Sequence, residues 1–68
     1  MSNSYNLELT QKELEIAREL VAGYHNYEIA KKFGLSDSAV KGRISRIFRK
    51  IGASNRPNAA FLLYKFLK

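Results

Sequence analysis

The sequence predicts an all-α domain of four short helices. Apolar residues recur at intervals of three and four along much of the chain, which is the spacing of one helix face. Residues that favour helix starts and glycines that favour helix ends follow each other at short intervals. No segment of the 68 residues has the strict alternation of apolar and polar residues that predicts a half-buried strand.

The first predicted helix covers residues 11–22. Thr10 precedes it as a good N-cap, and Glu13 three residues later completes a capping box. Gly23 follows the helix as a typical C-terminal stop. Both ends of this helix are therefore predicted from local signals alone.

The second predicted helix is short and covers residues 26–33. Either His25 or Asn26 begins it, Glu28 lies in its first turn, and Gly34 ends it. A helix of about eight residues is not stable alone, so we expect packing against its neighbours to hold it.

The third predicted helix is amphipathic, covers residues 37–51 and has Ser36 as its N-cap. The apolar residues that step by four, three and four along it form one buried stripe: Val40, Ile44, Ile47 and Ile51. The opposite face holds only polar, basic or very small residues: Ser38, Lys41, Gly42, Ser45, Arg46 and Arg49.

The fourth predicted helix covers residues 56–67, with Asn55 as N-cap and Pro57 tolerated in the first turn. It is apolar almost all round, and such a helix is either deeply buried or covered by a partner. A chain of 68 residues has too little mass to bury it fully, which predicts a symmetric homodimer. The alternative is ordinary exposed apolar surface. The residues predicted to form the dimer contact are Ala60, Phe61, Tyr64 and Leu67.

Charge is divided unevenly along the chain. Residues 1–30 carry two basic residues against five acidic ones, whereas residues 31–68 carry ten basic residues against one acidic residue, within a net charge of +6. Such a concentrated positive field favours a polyanionic partner, most often nucleic acid. The alternative is a basic surface that only keeps the protein in solution.

Composition argues against several other functions. The chain has no cysteine and one histidine, so neither a metal site nor a cofactor is expected. It has neither a serine–histidine arrangement nor a phosphate-binding glycine loop, so we do not expect an enzyme. The longest apolar run is far shorter than the ~20 residues of a membrane span, which predicts a cytoplasmic protein. Residues 1–8 have no periodicity and are predicted to be a flexible arm before a domain over residues 9–68.

The second and third predicted helices together describe a helix-turn-helix, because they are joined by a tight turn with a glycine and the later helix is longer and basic. In that motif the later helix enters the major groove, where lysine or arginine reaches guanine O6 and N7 or a phosphate. Arg43 and Lys50 flank the outward face and fit phosphate contact better. Tyr27 could also bond a phosphate, although a plain surface role is the alternative. An ordinary solvated helix face is the alternative for the motif as a whole.

The residues of this motif resemble the LuxR/FixJ-type helix-turn-helix family, whose pattern reads roughly LTxRE, GxSNKEIA, ISxxTVKxH, NIxxKL, R and A. The resemblance spans residues 9–67 and implies a bacterial transcription regulator that binds pseudo-palindromic DNA as a dimer through its fourth helix. The absence of a sensor segment predicts a stand-alone, nucleoid-associated version. The matching residues are Leu9-Thr10, Glu13, Gly23, Asn26 to Ala30, Leu35-Ser36, Val40-Lys41, Ile47, Lys50-Ile51, Arg56 and Ala59.

The resemblance also implies roles for single residues. It implies that Lys41, Gly42 and Ser45 face the major groove. It also implies that residues near phosphates include Ser36, Ser38, Lys50 and the start of the second helix. With the outward face of the third helix included, the base-reading candidates are Lys41, Gly42, Ser45 and Arg46. The phosphate candidates are Ser36, Ser38, Arg43, Arg49, Lys50 and Tyr27.

Four positions depart from the family pattern. His25 replaces a serine N-cap, Ala39 a threonine, Arg43 a histidine and Arg46 an asparagine. The two arginines add charge, so we expect a shift toward electrostatic affinity. Gly42 costs about 1 kcal/mol of helix stability relative to alanine. We interpret it as allowing the helix backbone to lie close to base edges, the alternative being a tolerated neutral position.

Two other functions fit parts of the sequence. Val40-Lys41-Gly42-Arg43 also resembles a sigma-region-four-like module, which would bind promoter DNA while attached to RNA polymerase. A chain of this length could instead be an antagonist that forms heterodimers with a full-length regulator through its fourth helix. The basic third helix and the lack of a region-two-like segment favour the regulator.

Overall fold

The protein, seen in a computed structural model, is described over residues 9–67 apart from the side chain of Phe66. The arm predicted over residues 1–8 lies outside the described residues. The described part contains four helices and no strand, which confirms the all-α prediction. The helices have the predicted bounds: α1 (Gln11–Ala22), α2 (Asn26–Phe33), α3 (Asp37–Ile51) and α4 (Arg56–Leu67).

The start of α1 is fixed by the predicted capping box. The Glu13 backbone N–H donates to Thr10 Oγ1 at 3.1 Å, and the Thr10 N–H donates to Glu13 Oε1 at 2.9 Å. The two side chains thereby satisfy two backbone donors at the helix start. Glu13 is also buried, and its carboxylate accepts a further hydrogen bond from Lys50 of α3.

The start of α2 settles the choice between the two possible caps. His25 occupies the N-cap position and Asn26 is the first helical residue. His25 makes no side-chain capping hydrogen bond, but its backbone N–H donates to Glu28 Oε1 at 2.7 Å. The imidazole therefore does not take over the role of the family's serine, and this end of α2 is capped less completely than α1.

The turn between α2 and α3 is short and well bonded. Gly34 ends α2 with φ +66°, a left-handed conformation that glycine adopts without steric cost. The Leu35 N–H donates to the Ala30 carbonyl at 2.9 Å, and the half-buried Leu35 side chain packs against the core. Ser36 then caps α3 by accepting the Ala39 N–H at 3.1 Å. These contacts fix α3 relative to α2.

The core draws on all four helices. The main packed pairs are α1 with α4, α2 with α3, α1 with α3, and α3 with α4, so α3 touches each of the other three. Burying the stripe of α3 against its neighbours leaves its opposite face as the surface of the domain. The buried core residues are Ile16, Ala17, Leu20, Ile29, Ala30, Val40, Ile44, Ile47 and Leu63.

Helix α4 carries apolar residues on both its inner and its outer side. Asn55 caps it by accepting the Asn58 N–H at 2.8 Å, as predicted. Ala59 and Leu63 are buried. Of the residues predicted to form the dimer contact, Phe61 is 60% and Tyr64 57% exposed, whereas Ala60 and Leu67 are half-buried. Leu67 packs against the core, so the aromatic pair dominates the outer side.

Candidate nucleic-acid interface

The outward face of α3 is an exposed surface of basic, polar and very small residues. At about 100° per residue, Gly42 and Arg49 lie opposite the buried stripe, with Ser45 and Arg46 on either side of them. All four are exposed. After Asp37, α3 contains no acidic residue, so no acid lies between its cations.

The base-reading candidates lie within less than two turns of α3. Lys41, Gly42, Ser45 and Arg46 are all exposed, with Lys41 toward one edge of the face. From Lys41 to Arg46 the helix rises about 7.5 Å, or about two base-pair steps of DNA. The structure therefore brings these four residues together on a surface of the size that one recognition helix presents.

Most of the phosphate candidates surround this face. Ser38, Arg43 and Arg49 are exposed on α3. Ser36 is also exposed, and its hydroxyl oxygen accepts the capping hydrogen bond from Ala39. A hydroxyl that accepts one bond can still donate another, so capping leaves Ser36 able to bond an anion.

Lys50 differs from the other phosphate candidates because its ammonium group is bonded inside the domain. Its Nζ lies 2.8 Å from Glu13 Oε1 on α1, and the two side chains are 31% and 5% exposed. Burial by itself would raise the pKa of the Glu13 carboxyl. The hydrogen bonds from Lys50 and the Thr10 backbone, with the charges of Lys50 and Arg46, outweigh burial and hold that pKa below 4.5.

Tyr27 lies at the start of α2 and is 62% exposed. Its ring is stacked on that of His25, with centroids 5.6 Å apart and an angle of 3° between the ring planes. The pair forms a flat exposed aromatic surface beside the N-terminus of α2.

Three polar contacts to α2 and its leading turn, made by two basic residues, escaped prediction from the sequence. Lys32 Nζ lies 2.8 Å from Glu19 Oε2 on α1. The guanidinium of Arg56 donates to Asn26 Oδ1 at 2.6 Å and to the Tyr24 carbonyl at 2.7 Å. One signal for Arg56 was available in the sequence, since a cation in the first turn of a helix opposes the helix dipole and needs a partner.

The described residues offer little for other chemistry. Within residues 9–67 no three histidine or acidic side chains cluster as metal ligands. Over the same range, none of the helices is long and apolar enough to cross a bilayer. The outward face of α3 brings several cations and hydrogen-bond donors together, and such a surface attracts polyanions.

Comparison with known proteins relates the chain to bacterial regulatory proteins. The family model of bacterial regulatory proteins of the luxR family matches residues 7–63. The chain is 35% identical over 60 residues to the transcriptional regulatory protein LnrK of Bacillus subtilis, an alignment that covers 88% of the chain and 27% of LnrK. No solved structure gives a significant match.

Two further relatives come from Escherichia coli. The CsgBAC operon transcriptional regulatory protein is 39% identical over 51 residues, which is 75% of the chain and 24% of that protein. The nitrate/nitrite response regulator protein NarP is 35% identical over 54 residues, which is 79% of the chain and 25% of NarP. The chain thus spans about a quarter of the length of these relatives.

Proposed function

The chain belongs to the luxR family of bacterial regulatory proteins, and from this premise we propose that it binds double-stranded DNA sequence-specifically, with α3 in the major groove. The observation that carries the proposal is the outward face of α3, which is exposed, basic and without an acid after Asp37. The bound DNA would be a regulatory site in the bacterial cytoplasm, where the chain would associate with the nucleoid.

Base reading falls to the N-terminal and central part of α3. Lys41 and Arg46 have the length and charge to donate to guanine O6 and N7, and Ser45 can bond to any base edge. Arg46 is long enough to reach either a base or a phosphate. Since these side chains are exposed in the absence of DNA, binding would not need to break contacts within the fold.

Gly42 contributes to base reading through its missing side chain. A Cβ built at this position meets nothing within 4 Å beyond its chain neighbours and the adjoining helix backbone, so packing inside the domain does not require glycine. The position faces directly away from the buried stripe, where the helix would come nearest to the groove floor. We propose that Gly42 allows the α3 backbone to approach base edges more closely than alanine would.

The remaining candidate residues would serve DNA binding in two ways. Arg43, Arg49, Ser36, Ser38 and Tyr27 would contact phosphates directly, which fixes the helix in the groove. A phosphate contact by Lys50 would require its ammonium group to leave Glu13 or to bind both anions at once. We therefore propose that Lys50 acts mainly by holding the C-terminal half of α3 against α1.

The outer side of α4 supports a homodimer. Phe61 and Tyr64 expose large aromatic surfaces one helical turn apart, and Ala60 and Leu67 border them. In a two-fold dimer the same patch on both copies covers itself. Two recognition helices would then read half-sites about one helical turn apart, roughly 10 bp centre to centre. The antagonist function would use this same patch on a longer regulator.

Selection from a random duplex library, with sedimentation of the purified chain, tests the proposal. A two-fold symmetric motif together with a dimer supports the regulator. A single half-motif would favour the sigma-like module that works with RNA polymerase. No enrichment and no binding at low salt would refute DNA binding and leave the antagonist.

A pair of matched charge reversals tests whether DNA binding depends on the outward face of α3 or only on the net positive charge of the chain. Lys41→Glu and Arg18→Glu change the net charge equally, but Lys41 lies on α3 and Arg18 is exposed on α1. We expect Lys41→Glu to abolish binding to the selected site and Arg18→Glu to weaken it slightly. Equal losses would mean that α3 is not the DNA-binding surface.

A further inference from the structure

Arg56 joins the start of α4 to the turn that leads into α2. Its Nη1 donates to Asn26 Oδ1 at 2.6 Å, and its Nη2 donates to the Tyr24 carbonyl at 2.7 Å. The acceptors lie 30 and 32 positions earlier in the chain. One planar guanidinium thus holds both the last part of the turn and the first residue of α2.

The position of Arg56 in its own helix is unfavourable without these contacts. It is the first residue of α4, where the helix dipole favours an acid, and the first turn of α4 contains none. Asn55 already caps the helix. The forked hydrogen bonds to the turn are therefore the interactions that favour an arginine here, because a guanidinium can donate to two fixed acceptors at once.

Helix α2 needs such a contact at its N-terminal end. It packs mainly on α3, and α2 with α4 is not among the main packed helix pairs. Near its C-terminal end, Lys32 pairs with Glu19 of α1. At its N-terminal end, His25 makes no side-chain cap, and the Arg56 contact to Asn26 ties that end to α4.

We infer that Arg56 is a positioning residue, which fixes the start of α2 against the DNA backbone without contacting the DNA itself. The inference rests on the proposed function. Asn26 directly precedes Tyr27, whose ring lies on that of His25 in the exposed aromatic surface. Holding Asn26 in place sets where this surface and the first turn of α2 stand relative to α3, and so whether both can meet one duplex together.

Three variants test the inference on the selected DNA site. Arg56→Gln removes the guanidinium, and Asn26→Ala removes an acceptor while leaving the charge of Arg56. Arg56→Lys keeps the charge but cannot reproduce the planar fork. We expect each to weaken binding about tenfold, the cost of one charged hydrogen bond. The slope of log affinity against log salt, measured between about 50 and 200 mM, should stay unchanged. The double variant that combines Arg56→Gln and Asn26→Ala should bind no more weakly than either single variant, because both remove the same contact.

Phosphate ethylation interference adds a readout that reports on α2 alone. We expect the variants to lose interference at the phosphates opposite α2 and to keep it at those opposite α3. Circular dichroism below the unfolding transition checks that each variant is folded. If Arg56→Gln does not fold, Asn26→Ala still decides, because it deletes only an amide side chain.

Three other results would overturn the inference. If Arg56 contacts a phosphate directly, Arg56→Gln would lower the salt slope by about 0.9, and Asn26→Ala would bind as well as the wild type or better. Variants that lower the melting temperature but bind DNA normally would show a role in the fold only. Wild-type binding by Arg56→Lys would show that charge alone matters. A wild-type chain that binds no duplex would instead refute the proposed function, and this inference with it.

Discussion

Two sides of α3 carry similar residues and use them differently. On the side that faces α1, Lys50 bonds the buried carboxylate of Glu13 at 2.8 Å. On the outward face, the neighbouring Arg49 is exposed and points away from the core. The two adjacent cations look equivalent in the sequence, yet Lys50 is bonded to a buried carboxylate of the core and Arg49 is exposed. Residues that a fold does not need are the ones to examine for binding.

The glycines at the middle and end of α3 repeat this contrast. Gly52 ends the helix with φ +74°, a conformation that costs other residues energy. Gly42 lies within the helix, has open space around it, and is not required by the backbone. The fold requires glycine at the first of these positions and does not require it at the second. Substitutions on the side of α3 that faces α1 should therefore lower stability, whereas those on the outward face should change DNA binding.

The largest effect is expected for Lys50→Gln. Removing the ammonium group leaves the Glu13 carboxylate buried without its partner, and breaking a buried pair costs about 3 kcal/mol. Because Lys50 is partly exposed, we expect about 2 kcal/mol in urea unfolding at neutral pH. Arg49→Gln is the matched control and should change stability by less than about 0.5 kcal/mol. If both variants lost the same free energy of unfolding, the side of α3 that faces α1 would contribute no more to stability than the outward face.

The pH dependence of stability gives a second check on the same pair. The folded state lowers the pKa of Glu13 below 4.5, so the unfolded state binds more protons in this range. The contribution of Glu13 is therefore present above the ordinary pKa of a glutamate and is lost as the pH falls through the lowered pKa. The unfolding free energy of Lys50→Gln should fall less steeply over this range than that of the wild type. Parallel curves would mean that Lys50 does not lower the Glu13 pKa.

The next effect is expected for Lys41→Ala, measured on DNA binding. If Lys41 donates to a base, the substitution should cost about 1–3 kcal/mol on the selected site and relax the preference at one base pair. Stability should stay within about 0.5 kcal/mol, because the side chain is exposed. If Lys41→Ala lowers the free energy of unfolding but leaves the base preference unchanged, Lys41 serves the fold and does not read a base.

A smaller pair of effects, opposite in sign, is expected at the two glycines. Gly42→Ala should stabilise the chain by about 1 kcal/mol, since alanine favours helix and its methyl group meets open space. Gly52→Ala should destabilise it by about 1 kcal/mol, because alanine there is forced into the left-handed region. Thermal unfolding measures both. Repeating the DNA selection with Gly42→Ala then decides its role, since an unchanged motif would make Gly42 a neutral position.

The sequence predicts the helices well because their signals are local. Thr10 and Glu13 are three residues apart, and the buried stripe of α3 repeats within one helix. Their physical effects act over one or two turns, so spacing alone reveals them. The exposed aromatic residues of α4 were predicted in the same way, from a helix with more apolar residues than one core can bury.

Polar contacts between distant parts of the chain leave no such pattern. Glu13 and Lys50 are 37 positions apart, and Arg56 reaches back 30 positions to Asn26. Nothing in the spacing of a lysine on a basic helix shows whether its ammonium group points outward or into a buried carboxylate. The candidate DNA-binding face could therefore be outlined from the sequence, but the cations that serve the fold could be separated from it only in three dimensions.

The smallest effect is expected for Arg49→Ala, and it gives the finest test of the outward face. One lost phosphate contact should reduce the slope of log affinity against log salt by about 0.9, which is about a threefold loss between 50 and 200 mM salt. The loss should be the same for the selected site and for unrelated duplexes, because phosphates carry no sequence information. Lys50→Gln, measured at a temperature where it is fully folded, should leave the slope unchanged. If it lowers the slope as much as Arg49→Ala does, the ammonium group leaves Glu13 for the DNA when the complex forms, and the ion pair is part of binding as well as of the fold.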